Sequence, residues 1–379
     1  MTAPPLPATP MRIARVQAFV LRSPIAVPVR TSFGTMHDRP AVFVRVEDEH
    51  GAFGWGEAWC NFPSCGAEHR ARLVDTVYAP LLTGKPFDGP AAAFRWLEDA
   101  TAVLAIQSGE HGPMAQALSG IDLALWDLSA RRAGQPLWRH LGGTQALIPV
   151  YASGINPDRP ADQVARRRNE GYRAFKLKVG FGRETDLSNL RALRELLGPD
   201  APLMVDANQG WSLPDAMAMA RDLEPFAPGW LEEPLRADRP WDEWRELARA
   251  TALPLAAGEN VAGPSAFGAA IASGALLVLQ PDIAKWGGIS ANWPIVHKAM
   301  AAGLRYCPHY LGGGIGLLHS AHLLAAAGGG GMLEVDANAN PLRSLVAPVF
   351  ERPVDGRCEL GEEPGIGPVP DIEHLRRSI

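Results

Sequence analysis

The sequence predicts an α/β fold, a (β/α) barrel preceded by a smaller α+β unit. From residue 145 onward eight short apolar runs (148–153, 174–179, 203–207, 230–232, 254–258, 276–281, 304–308 and 331–335) alternate with helix-length amphipathic stretches. Ionisable residues close these runs at near-constant spacing. The part of the chain before them instead carries period-two segments and one long helical pattern. A doubly wound sheet shares the alternation of the second part, and the count of eight favours the barrel.

Taken in order, residues 1–10 hold Pro4, Pro5, Pro7 and Pro10 and predict a disordered lead. Ile13–Leu21 alternates as a strand does, and so does Ala41–Glu57, broken at Asp48-Glu49-His50-Gly51 by a hairpin signal. Met114–Ala133 repeats Ala117, Ile121, Leu125 and Leu128 at helical spacing. Two irregular loops, roughly 24–40 and 59–70, complete a first domain over 11–140. The barrel then spans 141–340. The closing segment, 341–379, is rich in Pro and charge, lacks a further βα unit, and is expected to return to the first domain.

Composition removes whole classes of function. With 379 residues and a net charge of −5 the chain lacks the basic excess of a nucleic-acid or anionic-membrane binder. No run reaches the ~18 apolar residues of a membrane span. Cys60, Cys65, Cys307 and Cys358 make neither a disulfide framework nor a zinc site, so a reduced, cytoplasmic compartment is expected.

The polar interruptions carry the chemistry. Lys176 and Lys178 end the second run, Asp206 the third, Glu232 and Glu233 the fourth, Glu259 the fifth. Asp282 and Lys285 follow the sixth, His309 the seventh and Glu334 the eighth. From Lys178 through Asp206, Glu232, Glu259, Asp282 and His309 to Glu334, each step is one βα unit long. In a barrel the C-terminal strand ends converge on one face, so this linear scatter becomes one cluster. Asp206, Glu232 and Glu259 would repel one another unless a cation neutralised them. All-oxygen ligation suits Mg2+ first and Mn2+ second. One such carboxylate would read as a helix cap; three in consecutive units read as a metal site. Glu233 reads as structural, paired with a basic neighbour. Asn208 either binds a ligand carboxylate or forms the turn.

Lys176 and Lys178, two apart on a strand, share a face. Beside a cation and out of water, a lysine has a lowered pKa and serves as a general base. His309 and Asp282 end adjacent strands, so a carboxylate can fix the imidazole tautomer. His319 and His322 read as packing or surface residues. Glu334 either donates a hydrogen bond to a substrate oxygen when protonated or caps the loop 336–340. The run Gly312-Gly313-Gly314 lacks the lysine and spacing of a phosphate loop and reads as close packing.

These residues resemble the enolase superfamily, specifically its mandelate racemase subgroup. The matching pieces are Lys176-Leu-Lys178, Val205-Asp206-Ala-Asn208, Leu231-Glu232-Glu233-Pro234, Gly258-Glu259-Asn260, Asp282-Ile-Ala-Lys285-Trp-Gly-Gly288, His309, Glu334 and the segment Ala117–Asp127. The resemblance implies a capping domain, completed by the C-terminal tail, over a modified (β/α)7β barrel with Mg2+ on Asp206, Glu232 and Glu259. It implies abstraction of the proton α to a carboxylate, giving a metal-stabilised enediolate. Lys178 would be one base and His309, oriented by Asp282, the other. Lys176, Glu334 and Lys285 would contact the substrate carboxylate. Asp282 stands where the muconate-cycloisomerase-like subgroup has a lysine base, which argues against cycloisomerase and dipeptide epimerase activity. A homo-oligomer is implied as well.

Two bases on opposite faces permit dehydration of an acid sugar to a 2-keto-3-deoxy acid, a carbon–oxygen lyase reaction. They also permit racemisation or epimerisation of a 2-hydroxy acid. Family breadth favours dehydration. A catalytically inactive sugar-acid-binding protein is a third reading, of another class, and no base or ligand is missing to favour it. Specificity is expected from the cap loops Ser23–Pro40 and Trp59–Arg70. Arg30, His37, Arg39 and Asn61 suit hydroxyls or a distal carboxylate there; Phe33, Met36, Trp59 and Phe62 suit an apolar substituent or the packing of cap against barrel.

Overall fold

The computed structural model describes residues 3–31 and 34–378, leaving aside the side chains of Arg30 and Thr31. Strands β1 (Met11–Thr31), β2 (Gly34–Asp48), β3 (Phe53–Ala58) and β4 (Pro86–Phe87) form an antiparallel sheet in the order β3-β2-β1-β4. The β2–β3 turn follows its sequence signal: Asp48 Oδ1 accepts the His50 and Ala52 amides and Gly51 takes φ +82°. The irregular loop expected over 24–40 is instead a continuation of β1 and β2, which pair out to Thr31 and Gly34 with one irregularity between Pro24 and Val29. Alternation beyond Leu21 is hidden by Pro24 and Pro28, which do not end the ribbon because they fall at or inside that irregularity.

Helices α1 (Gly66–Leu73), α2 (Pro90–Ser108) and α3 (His111–Arg132) complete the first domain. Nearly every residue of α3 from Met114 to Ala130 is buried, between the sheet on one side and the barrel on the other. It packs on β3 backbone to backbone: a Cβ at Gly56 would fall 2.1 Å from the Gly120 carbonyl oxygen, and one at Gly54 would fall 2.2 Å from that of Ala124. Two buried carboxylates on α3 tie the domain outward. Asp122 accepts the Ile289 amide at 2.7 Å and the Ser290 amide at 3.0 Å. Asp127 accepts those of Trp55 and Ile366 at 2.8 and 2.7 Å.

The second part supplies β5 (Leu147–Ile155), β6 (Phe175–Lys178), β7 (Leu203–Asp206), β8 (Leu231–Glu232), β9 (Leu255–Ala257), β10 (Val278–Leu279), β11 (Arg305–Tyr306) and β12 (Leu333–Asp336). They make one curled parallel sheet in the order β11-β10-β9-β8-β7-β6-β5-β12. Among the described residues no ladder joins β11 to β12; there the Met332 amide donates to Cys307 Sγ at 3.4 Å. Outside lie α4 (Pro160–Asn169), α5 (Arg183–Leu197), α6 (Leu213–Leu223), α7 (Trp241–Ala250), α8 (Pro264–Ser273), α9 (Gly288–Ala301) and α10 (Gly314–Ala327).

At the two ends the structure adds contacts that the sequence does not show. The tail first adds β13 (Arg357–Glu359) antiparallel to β5 of the barrel, and only then reaches α3 through Ile366. A short charged strand of this kind carries too few apolar residues to register as a period. The lead expected to be disordered is docked as well: Trp293 donates to the Pro4 carbonyl at 2.8 Å, Ser129 to Thr9 at 3.0 Å and Arg132 to the Pro10 carbonyl at 2.7 Å. Prolines keep their carbonyl acceptors, and three neighbours use them or the adjoining threonine. No helix among the described residues is long and apolar enough to cross a membrane.

Candidate functional site

The interior of the curled sheet is layered. Ala174, Met204, Trp230, Ala256, Val278, Cys307 and Tyr151 form a buried apolar layer against Met332. Strand side chains repeat every second residue, so two residues further along each strand stand Lys176, Asp206, Glu232, Gly258, Gln280, His309, Ser153 and Glu334. Parallel register pairs Asp206 with Glu232, but it sets Lys178 rather than Lys176 beside Asp206 and Asp336 rather than Glu334 beside Ser153, so the ring is stepped by the tilt of the strands. The glycine in this ring is required, because a Cβ at Gly258 (φ +151°) would lie 2.6 Å from the Gln280 backbone.

Lys176 is fully buried. Its ammonium lies 2.5 Å from Glu232, 2.8 Å from Glu334 and 3.6 Å from Asp206. Lys178, at the open end, donates to Asp206 at 2.6 Å. The lowered lysine pKa was expected beside a bound cation; with the carboxylates alone the direction is upward. Burial pulls both down, but Glu232 and Glu334 at Lys176, and Asp206 at Lys178, outweigh it and hold both above the ordinary range. Glu232 also accepts from Trp230 Nε1 at 3.0 Å and Gln280 Nε2 at 2.6 Å. Burial still pushes it up to about 7 against the pull of Lys176. The cluster sets five carboxyls (Asp206, Glu232, Glu259, Asp282 and Glu334) against Lys176, Lys178, Lys285 and His309. Burial raises Asp206 too, yet Lys178 and Lys176 hold it below the usual carboxylate range.

Across the ring His309 Nδ1 lies 2.8 Å from Asp282 and Nε2 2.7 Å from Glu259. Burial opposes its charge, but Glu259, Glu334 and Asp282 raise its pKa well above that of a free imidazole, so both ring nitrogens donate. Glu259 in turn is held low, against burial, by His309 and Lys285. Lys285 donates to Asn260 at 2.8 Å and stacks over the Trp59 ring at 5.0 Å.

Asp206, Glu232 and Glu259 offer oxygen donors only, in a site with surplus negative charge, which fits a hard divalent cation. Their present spacing is set by Lys178, Lys176 and His309, and among the described residues no group of three or more His, Cys, Asp or Glu is already spaced to hold a metal ion.

Glu334 accepts from Ser153 Oγ and the Tyr310 amide besides Lys176. Asn208 forms the turn, at φ +44°, and donates back to Asp206 through its amide and side chain. Glu233 pairs with the Asn260 amide at 3.0 Å, not with a cation, and burial beside Glu259 keeps its pKa high. Asn61 spends its side-chain amide on the Leu311 carbonyl at 2.5 Å. Arg39 is buried against Asp336 at 2.8 Å. His37 stands exposed on β2, apart from the cluster. The Arg30 side chain and Phe33 lie outside the described residues. His319 and His322 are buried in α10; His322 Nδ1 accepts the Trp138 amide at 3.1 Å.

Sequence reasoning passed over Ser153, Trp230, Gln280 and Glu57. Gln280 carries a legible signal, a polar residue two positions past Val278 inside an apolar run. Trp230 and Ser153 reveal themselves only once the layer is assembled. Glu57 belongs to another domain.

Comparison with known proteins decides the family. Residues 14–142 match the mandelate racemase/muconate lactonizing enzyme N-terminal domain, and residues 159–374 the enolase C-terminal domain-like family. The chain belongs to the mandelate racemase/muconate lactonizing enzyme family of the enolase superfamily. It is 32% identical to the D-galactarolactone cycloisomerase of Agrobacterium fabrum, over 94% of this chain and 96% of that one. It is 28% identical to the arabinonate dehydratase of Saccharolobus solfataricus, over 87% and 88%. Among solved structures, a mandelate racemase/muconate lactonizing enzyme from Bordetella bronchiseptica RB50 superposes with TM-score 0.94 at 59% identity, covering 98% and 100%. A racemase from Streptomyces coelicolor A3(2) with bound magnesium superposes with TM-score 0.85 at 32% identity, covering 96% and 99%. The cycloisomerase among these relatives leaves that reaction class open, against the expectation drawn from Asp282.

Proposed function

We propose that the chain abstracts the proton α to the carboxylate of an acid sugar, an aldonate or aldarate, and then expels the β-hydroxyl as water to leave a 2-keto-3-deoxy acid. The observation that carries this reading is the placement of Lys178 and the His309–Asp282 pair against opposite members of one carboxylate triad, Asp206 and Glu259. Asp206, Glu232 and Glu259 would hold Mg2+, or Mn2+ in its place; when bound, the ion would supply Lewis-acid stabilisation of the charge developing on the substrate carboxylate.

The chain's own groups do the rest. Lys176, anchored by Glu232 and Glu334, presents a buried positive charge to the substrate carboxylate, and Lys285 adds a second. Lys178 takes the α-proton from one side, in its neutral form, once a cation offsets the carboxylates that now hold it protonated. His309, charged and fixed by Asp282, protonates the departing hydroxyl from the other. Burial of Lys176, Asp206, Glu232 and His309 away from water strengthens each of these interactions. Homologous dehydratases and cycloisomerases of acid sugars support the substrate class.

The same pair of bases also suits a racemase or epimerase, in which the second returns a proton to the opposite face, and the magnesium-bound racemase neighbour favours keeping this reading. We place the protein in the cytoplasm, as a homo-oligomer that exposes Val103, Leu104 and Ile106 of α2 to a second copy; sizing chromatography showing a monomer overturns that assignment. The deciding experiment is a screen of the purified protein with Mg2+ against mono- and diacid sugars, with 2-keto acids trapped by semicarbazide. A product names the substrate and establishes dehydration. Silence, followed by α-deuterium exchange in D2O with acids lacking a β-hydroxyl, establishes the racemase reading instead.

A further inference from the structure

Strand β3 faces α3 with Gly54, Gly56 and Ala58, so Trp55 and Glu57 face the barrel. The alternation continues past its end: Glu57, Trp59 and Asn61 all land on the two barrel loops that carry the His309–Asp282 pair. The Trp59 amide donates to the Ala284 carbonyl at 3.1 Å, two residues beyond Asp282. Asn61 holds the Leu311 carbonyl, two residues beyond His309. Glu57, 2% exposed, accepts the Gly313 amide at 2.6 Å and the Gly316 amide at 2.9 Å, with the Tyr310 phenol beside it.

The loop from His309 into α10 contains Gly312, Gly313 and Gly314, which have no side chains to hold its shape. It is built around the cap carboxylate instead. A Cβ at Gly313 would fall 2.8 Å from Glu57 Oε1, and one at Gly316 would fall 2.3 Å from the Tyr310 hydroxyl oxygen. The Gly313 and Gly316 amides call for one acceptor oxygen each, which a carboxyl supplies and a primary amide, with a single oxygen, does not. A cap contact made only for packing would not need a buried carboxyl, whose pKa burial pushes up to about 7, and burying one is costly unless its hydrogen bonds serve a purpose.

We propose that Glu57 is a positioning residue for His309: by gripping the glycine loop from the cap, it fixes the distance between His309 and Asp282 and couples the docked cap to the aim of the imidazole. The consequence for turnover rests on the function proposed above; the geometric coupling does not.

The test is Glu57→Gln, read first without substrate by the low-field proton resonance of the His309 Nδ1–H···Asp282 hydrogen bond, assigned by its loss in His309→Asn. Glu57→Gln is expected to remove or shift that resonance at a temperature where the variant is folded. With whichever of galactarate or arabinonate the wild type turns over, kcat falls about 10–100-fold while KM stays within about twofold, the scale of a displaced catalytic group. An unmoved resonance in folded Glu57→Gln, or activity that falls only with the folded fraction, overturns the proposal. Should Glu57→Gln not fold, Asn61→Ala, which releases the same loop from its other side, decides in the same way. Failure of the wild type on every acid sugar, with the resonance still shifted by Glu57→Gln, strikes the functional reading and leaves the coupling standing.

Discussion

Replacing Lys176 with methionine tests the electrostatics of the site most directly. The side chain is fully buried, so methionine fills the volume and removes only the charge. What remains is Glu232, Glu334 and Asp206, each nearly or fully buried and previously 2.5, 2.8 and 3.6 Å from the ammonium. Removing one partner of a buried ion pair costs about 3–5 kcal/mol, and here one cation serves two close carboxylates, so the upper end applies. The pH dependence follows from Glu232. Its pKa is already raised from 4.5 to about 7 in the native protein, and loss of Lys176 drives it further up. A carboxyl with a raised native pKa contributes stability at low pH that is lost as pH rises. The gap between variant and wild type, measured by urea unfolding in EDTA, is therefore small near pH 5, opens above about pH 7 and keeps growing beyond about pH 9. The reason is that about 3–5 kcal/mol is equivalent to raising that pKa by about 2–4 more. If magnesium binds Asp206 and Glu232 as proposed, saturating Mg2+ narrows that gap. A variant as stable as the wild type in EDTA at pH 8 would refute the assignment of Lys176 as the neutralising cation.

Lys178→Ala and His309→Asn are each expected to abolish turnover while leaving circular dichroism and Mg2+ binding intact; near-normal activity in both would remove the two-base assignment. EDTA should eliminate activity and Mg2+ restore it, and chelator-resistant turnover would rule out the metal. Gly56→Ala drives a methyl to 2.1 Å from the Gly120 carbonyl oxygen and should cost more than about 3 kcal/mol, seen as a fall in thermal midpoint; a neutral effect would mean that β3 and α3 are not in backbone contact. His322 is held neutral, its pKa lowered by burial from 6.5 to about 3. Its contribution is complete above pH 6.5 and lost as pH falls toward 3, so His322→Gln should flatten the acid limb of stability against pH relative to wild type.

Eight strands and most of their charged ends were legible because a βα repeat places one chemical group per unit on a common face, and that periodicity survives without any contact information. The electrostatics were less legible. A lysine beside acids reads as depressed or elevated depending on which neighbours touch it, and the distances from Lys176 to Glu232 and Glu334 are invisible in a linear chain. Cap residues were the hardest. Asn61 and Arg39 carry the right groups for a polyhydroxy acid, yet the Leu311 carbonyl and Asp336 claim them, and those partners lie far downstream, after β11 and at the end of β12. Glu57 went unnoticed for the same reason: nothing around it in sequence hints at the glycines it meets.

The ties on α3 constrain how quickly the site can exchange its contents. Turning the first domain away from the barrel would strip Asp122 of the Ile289 and Ser290 amides and Asp127 of Ile366, leaving two buried carboxylates without donors. The ribbon of β1 and β2 is held by Arg39 on Asp336 and by Arg22 on Glu68, and Val29 and Met36 are buried further along it. Passage of small molecules past such ties is expected to need local opening, on the nanosecond-to-microsecond scale of loops, rather than rotation of the whole domain on the microsecond-to-millisecond scale. A turnover rate limited by traffic through the mouth would respond to substitutions in residues 24–38 and ignore those on the outer face of the cap.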